Sequence, residues 1–435
     1  MLDDDVRTCL RVLAELAEAP DGDPDLERVR TAVGTFVKRT RERERAAARK
    51  RRAAADAEVL AGTATGAADR VEGAPVEPPR EIVRSSVHGA RTPLGGLVSC
   101  YVCKAHFREA DAFYHRLCPP CAEEHHRRRA ARADLAGRRA IVTGGRVKAG
   151  FELVLKLLRD GASVTALTRF PADARRRFSA VPDRETWQDR LTITGMDLRD
   201  VPGLVRWCDA LAAEGRPLDI LVNLAAQTLR HPPESYAELL AGEGTAALPA
   251  PAALEVTTAH SGAVDVAGLL PDPSPGNSWT RLVHEVDPVE LLEVQLINVT
   301  APFVLLGRLR PLLELSPHPR RYVVNVSAVE GQFASAYKGA EHPHTNMAKA
   351  SLNMLTRTTA SELAEHGIHV TSVDPGWFTD QQPAPDRARR AAAGFRPPLD
   401  VVDAAARVYD PIVRGERDGD PPHGCLLKDY RVVSW

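Results

Sequence analysis

A chain of 435 residues, 44% hydrophobic and 26% charged, is long enough for one large domain with appendages and apolar enough to bury a sizeable core. Lys and Arg number 57 against 58 Asp and Glu, and the formal net charge of −1 excludes a chain-wide field that would steer the protein onto nucleic acid or an anionic membrane. The opening Met-Leu-Asp-Asp-Asp has neither the basic flank nor the apolar core of a secretory signal, and no stretch reads as a membrane span of about twenty apolar residues, so a cytoplasmic protein is expected.

In chain order, Val6, Leu10, Val12, Leu13 and Leu16, then Leu26, Val29, Val33 and Val37, recur at helical intervals and predict a helical region over 1–61, broken near Pro20 to Pro24. Its second half is a basic Arg/Ala/Glu tract from Arg39 to Ala55 with no apolar stripe, which projects into solvent or meets a protein partner. Residues 62–94, rich in Ala, Gly and Pro at their start, read as a linker. Over 95–130 the pairs Cys100-x-x-Cys103 and Cys118-x-x-Cys121 form two knuckles whose four thiolates suit one tetrahedral zinc ion. A site made only of cysteine leaves no open position and is therefore structural. His106 and His115 lie between the knuckles and read as spare histidines, and the His125 to Arg129 run as a solvated helix face.

From Leu135 onward the pattern changes to short apolar runs, Arg139–Thr143, Ser163–Thr168, Leu191–Thr194, Ile220–Asn223, Arg321–Val326 and His369–Val373, with helical stretches between them. That rhythm predicts an α/β fold over 135–435, a doubly wound parallel sheet covered on both faces, preceded by the helical segment and the small zinc-binding module. The Pro- and Gly-rich stretch at about 228–288 is too long for a simple connection and reads as a functional insertion or lid.

The first strand runs into Thr143, Gly144, Gly145 and Gly150 and then into a helix, so backbone N–H groups and a helix N-terminus converge where a pyrophosphate would sit. In this context the sequence resembles the short-chain dehydrogenase/reductase family, a group of Rossmann-type oxidoreductases. Thr143, Gly144 and Gly150 match its glycine fingerprint, with Lys148 in place of the middle glycine. Asp197 and Leu198 resemble its adenine contact, Asn223 to Ala226, including Ala225, its Asn-Asn-Ala-Gly, Asn298 its structural Asn, and Pro375, Gly376 and Thr379 its cofactor-binding loop. The resemblance implies a nicotinamide cofactor, a small-molecule substrate and a homo-oligomer. NAD users of the family carry an acid after the second strand; here Arg169 stands there, with Arg146 and Lys148 in the loop, and this charge favours NADP over NAD.

The family's reacting centre is only partly matched. Its Tyr-x-x-x-Lys corresponds to Thr345-Asn-Met-Ala-Lys349, so the lysine is kept and the tyrosine is not. Its serine aligns with Ala328, leaving Ser327 one position early. A threonine hydroxyl is too weak an acid to replace a phenol. Tyr337, His342 and His344 precede Lys349, and Tyr337 or His344 is expected to handle the proton, with Asn298, Ser327, Thr345 and Lys349 around it and Glu330 in the same polar cluster. Two functions compete: an NADP-dependent oxidoreductase with a rearranged proton donor, and an impaired relative that senses NADP and acts as a scaffold through its zinc and helical modules. A nucleic-acid module is a third, for which no base-reading motif is visible.

Overall fold

In the computed structural model the described residues are 2–18, 24–77, 91–244, 264–265, 267–270, 274 and 276–435. The helices α1 (Leu2–Glu18) and α2 (Pro24–Ala61) come first, and the expected break between them lies almost wholly outside the described residues. α2 buries no residue, because its basic tract has no apolar face to bury. Near its end Asp56 accepts the Gly95 and Gly96 N–H groups at 2.7 and 2.8 Å.

The expected linker over 62–94 is corrected by its described part. Thr63, Ala64 and Thr65 are buried, and the N–H groups of Ala64 and Thr65 donate to the carbonyls of Ala112 and Phe113 at 3.0 and 2.8 Å. Small side chains here permit close packing, which composition alone does not distinguish from flexibility. Residues 91–94 already belong to β1 (Arg91–Ser99), which pairs antiparallel with β2 (His106–Asp111) and is followed by α3 (Pro119–Arg129). Phe107, Phe113, Tyr114 and Leu117 form the core of this module.

The chain then alternates through β3 (Arg139–Thr143), α4 (Lys148–Arg159), β4 (Ser163–Thr168), α5 (Pro171–Ser179), β5 (Leu191–Gly195), α6 (Val201–Glu214) and β6 (Ile220–Asn223). After the short α7 (Ala237–Glu243) come α8 (Pro288–Gln295), α9 (Ala301–Glu314), β7 (Arg321–Val326), α10 (Pro343–Glu365) and β8 (Ile368–Val373). It closes with α11 (Ala384–Ala392), α12 (Val401–Val413), β9 (Leu426–Lys428) and β10 (Arg431–Val433). The strand order is β10-β9-β8-β7-β6-β3-β4-β5, parallel from β5 to β9, with β10 antiparallel at the edge. This is the doubly wound α/β arrangement that the apolar runs imply.

Both sheet faces are covered. On one, Leu153 and Leu157 of α4 and Val408 and Ile412 of α12 pack against Val142, Val164 and Val222. On the other, Leu204 of α6, Leu305 and Leu309 of α9 and Leu363 of α10 pack against Ile141, Leu221 and Val323. Each such side chain, fully buried, contributes about 1.5–3 kcal/mol, which is why these strands are runs of apolar residues and not alternations. The helical run 288–314 corrects the expectation that no stretch reaches the apolar length of a membrane span; its most apolar part is half buried inside this second core.

The cysteine module is fastened to the sheet domain through α12. Arg129 donates to Asp400 at 2.8 Å, Arg128 to Asp410 at 2.6 Å, and the Tyr114 hydroxyl to Asp403 at 2.6 Å. His125, fully buried, meets Arg407 at 2.6 Å. His125, Arg128 and Arg129 thus form an internal charged interface where a solvated helix face was expected, while Arg127 stays exposed and pairs within α3 with Glu124.

Candidate active site

The strand order reverses between β3 and β6, and ligands of doubly wound sheets bind outside the carboxyl ends of the strands at such a point. A cavity of about 840 Å³ opens there. The Thr143 hydroxyl accepts the N–H groups of Leu224 and Ala225, both at 3.0 Å, and so ties the glycine loop to the end of β6. Gly144 turns at φ +74°, where a Cβ would stand 2.9 Å from the Ala225 Cα, and a Cβ on Gly150 would stand 2.1 Å from the Gly144 carbonyl oxygen. Only glycine leaves room for this close approach of backbones, which shapes the loop into a cradle at the start of α4, where a helix N-terminus favours an anion. Gly144, Lys148 and Ala225 line the cavity, while Thr143, Gly145, Gly150 and Asn223 support it from behind. The Asn223 amide donates to the Asn325 side chain at 2.8 Å.

Lys148, in the middle-glycine position, keeps a left-handed backbone at φ +52°, which a non-glycine residue adopts at a cost. Burial pulls its ammonium down to about 8, against the opposing charges of Glu72 and Asp265. The three cations expected to act together are separated. Arg146 lines the cavity and donates to Asp173 at 2.6 Å, a carboxylate that it shares with Arg176 and Arg177. Arg169 lies over the rings of Phe170 and Tyr236, with its guanidinium carbon 5.4 and 5.0 Å from their centroids, and no carboxylate pairs with it among the described residues. Asp197 is paired with Arg199 at 2.6 Å, and with Leu198 it forms the cavity rim beyond β5. Pro375, Gly376 and Thr379 form the opposite wall. The described parts of the expected insertion contribute Tyr236, Leu269, Leu270 and Trp279 to the lining.

At the inner end, a π-turn over 296–300 joins α8 to α9 and carries Asn298. Its carboxamide accepts the Gln227 N–H at 2.8 Å and donates to the Gln227 carbonyl at 3.1 Å, so Asn298 sets the loop after β6 instead of lining the cavity. Lys349 does line it, with Nζ donating to the Val326 carbonyl at 2.8 Å. Burial pulls this ammonium down to about 8, with Glu330 and Asp374 opposing. Ser327 lines the cavity next to Ala328, with its hydroxyl 3.5 Å from the Lys349 carbonyl oxygen.

The other expected proton donors are not brought here. α10 begins at Pro343, and its first turn packs toward α8: His344 is buried with Nε2 3.4 Å from Glu290 Oε1, and Thr345 is buried with Oγ1 unpartnered. Neither lines the cavity. Tyr337 lies in the preceding loop and is 82% exposed. His342 stacks on Trp279 at 4.0 Å and stiffens the wall that Trp279 provides. The group that sequence reasoning missed is Asp374, at the end of β8. It lines the cavity, and burial raises its carboxyl to about 6 even though it accepts the Gly376 N–H at 2.8 Å. An acid placed directly after the strand and before Pro375-Gly376 was the available signal.

Cys100 and Cys103 sit at the tip of the β1–β2 hairpin, Cys118 just before α3 and Cys121 in its first turn. Their Sγ atoms all lie within 4.8 Å of one another, that of Cys103 3.5 Å from that of Cys118, and all four cysteines are free. A tetrahedral ion with bonds of about 2.3 Å needs sulfurs about 3.8 Å apart, so the cluster fits one ion. His115 is buried elsewhere, its Nδ1 2.8 Å from the Thr65 hydroxyl, and is not part of it.

The family model described as enoyl-(acyl carrier protein) reductase matches residues 254–395. An uncharacterized protein of Acanthamoeba polyphaga mimivirus is 32% identical over 342 residues, 72% of this chain and 71% of its own. L-xylulose reductase of Mesocricetus auratus is 30% identical over 241 residues, 55% of this chain and 72% of its own. The chain belongs to the short-chain dehydrogenase/reductase family. A rhamnolipid biosynthesis 3-oxoacyl-[acyl-carrier-protein] reductase of Pseudomonas aeruginosa is 28% identical over 250 residues, 56% of this chain and 74% of its own. Of the residues that the sequence resemblance sets at this short-chain dehydrogenase/reductase's expected lysine, tyrosine and serine positions, Lys349 and Ala328 line the cavity and Thr345 does not.

Proposed function

We propose that the chain is an NADP-dependent oxidoreductase acting on a carbonyl/alcohol pair of a small molecule, and that Lys349 and Asp374 handle the proton that the family assigns to tyrosine. The observation that carries this reading is that Lys349 and Asp374 open into the same cavity as the Gly144–Ala225 cradle. The cradle and Lys148 would hold the pyrophosphate, and Arg169, which pairs with no carboxylate among the described residues, the 2′-phosphate. When bound, the nicotinamide supplies or accepts hydride. Lys349, held by the Val326 carbonyl, anchors the neighbouring ribose, and its charge keeps the inner cavity able to stabilise a developing alkoxide. With its carboxyl near 6, Asp374 exchanges protons around neutrality, as a general acid or base must. The apolar wall of Leu269, Leu270 and Trp279 excludes water from the substrate's body. The relatives named for a 3-oxoacyl group and for L-xylulose both act on a ketone by name, which supports a carbonyl substrate and leaves its carbon skeleton open.

The four cysteines are assigned to one structural zinc ion. Self-association is assigned to the exposed apolar face of α1, with Val6, Leu10 and Leu13, and is read by light scattering with and without residues 1–18. The deciding experiment is an NADPH fluorescence titration followed by oxidation across a panel of ketones. Binding with turnover that is lost in Asp374→Asn supports the enzyme. Binding with no turnover on any ketone, and Lys349→Ala weakening binding only, would transfer the assignment to an NADP sensor.

A further inference from the structure

The cavity wall formed by residues 375–382 is not supported by the sheet domain alone. Tyr101, the residue after Cys100, reaches out of the cysteine knuckle and lines the cavity, and its hydroxyl accepts the Trp377 N–H at 3.0 Å. Arg70 donates to the carbonyls of Phe378 at 3.4 Å and Pro397 at 2.6 Å, and to that of Leu399. Glu72 accepts the Asp380 N–H at 3.1 Å. Phe378 and Leu399 pack into the same apolar cluster as Cys100, Cys118 and Cys121. Three hydrogen bonds from residues 70–101 therefore hold 377–380, in the loop 374–383 between β8 and α11, and two more hold Pro397 and Leu399 ahead of α12.

We propose that the cysteine module is the brace of this wall, and that Tyr101 is the positioning residue through which the knuckle sets the width of the cofactor and substrate cavity. The backbone of Tyr101 is fixed by the knuckle, its N–H donating to the Arg116 carbonyl at 2.8 Å, while the Cys100 N–H donates to Ala105 at 2.9 Å. A metal ion that locks the two CxxC pairs also locks the origin of the Tyr101 side chain. The phenol oxygen uses its acceptor capacity on Trp377, and among the described residues its hydrogen has no acceptor, so it can donate to an occupant of the cavity. A module that looks like a separate appendage is by this reading one side of the active site, and loss of its metal opens the cavity without touching the nucleotide cradle.

The metal arm rests on the zinc assignment above, whereas the Tyr101 arm does not. The test uses the full-length, zinc-loaded chain and its Tyr101→Phe variant, which keeps the ring and loses the acceptor. Zinc content and melting temperature are expected to stay as in wild type. Amide exchange over 378–382 is expected to accelerate roughly three- to tenfold, the loss of one neutral hydrogen bond, with the Gly144–Gly150 amides unchanged. NADPH is expected to bind about threefold or more weakly. Removing zinc with a chelator is expected to accelerate the same peptides further. Unchanged exchange over 378–382 in Tyr101→Phe, or acceleration spread evenly over the sheet, overturns the brace. If the wild-type chain does not bind NADPH, the cofactor reading fails while the exchange arm still decides the brace.

Discussion

Replacing Asp374 by Asn separates what this carboxyl does for the fold from what it does for the reaction. Burial raises it from 3.8 to about 6 in the folded chain. A group whose folded value lies above its unfolded one contributes fully below the unfolded value and loses that contribution as pH rises through the folded value. The ionised carboxylate therefore costs the fold about 1.5 kcal/mol at pH 5 and about 3 kcal/mol at pH 8. Asparagine keeps the oxygen that accepts the Gly376 N–H and carries no charge. The variant is expected to be the more stable protein by those amounts, a rise of about 3 °C in Tm at pH 8 and roughly half of that at pH 5 for a chain of this length. Ketone turnover is expected to fall roughly a hundredfold or more, as for loss of a general acid. Thermal melts of both proteins at the two pH values, with turnover measured alongside, are sufficient. An equal Tm gap at both pH values, or a lower Tm for the variant at pH 8, refutes the electrostatic argument; full turnover in the variant refutes the catalytic one.

Lys349→Met removes the ammonium and keeps the length, and should weaken NADPH binding roughly 10- to 100-fold, the range for a charged hydrogen bond, in a fluorescence titration. Arg169→Ala should cost NADPH about tenfold or more in affinity while leaving NADH unaffected; equal losses for the two cofactors would move the 2′-phosphate elsewhere. Tyr337→Phe should leave turnover within about twofold of wild type, because its ring stands in solvent; a large loss would show that the loop closes over the cavity. Cys118→Ser should lower bound zinc, measured by atomic absorption, from one ion per chain to a fraction and destabilise the module by several kcal/mol.

The sheet was legible because its strands are buried on both faces and must be written as apolar runs, as in Ile220-Leu-Val-Asn223 and Arg321 to Val326. β9 and β10 escaped notice because three residues carry no periodicity, and their edge position depends on β8. The cysteine cluster was legible because CxxC spacing is itself the geometry of a metal knuckle. What sequence could not express was which partner each charge would find. Arg146 meets Asp173, 27 residues on, and Arg129 meets Asp400, 271 residues on; both look free in a linear reading. Tyr337 was favoured for its chemistry and its nearness to Lys349, yet the start of α10 at Pro343 leaves it outside. Tyr101 carried no signal at all, since its part in the cavity depends on Trp377, 276 residues away.

The ties between α3 and α12 also bear on how the polypeptide matures. Tyr114 and Asp403 are separated by 289 residues, and Arg129 and Asp400 by 271. At about 5–20 residues per second, synthesis of α12 trails that of α3 by roughly 15–60 s. Through that interval the cysteines are ready to take up metal, while Arg128 and Arg129 wait for Asp410 and Asp400, and His125 for Arg407. Until α12 arrives, the side of the module that presents Tyr114, Arg128 and Arg129 stays uncovered. Its completion therefore waits on the sheet's last helix, and a chain that stops short of α12 lacks every one of these ties.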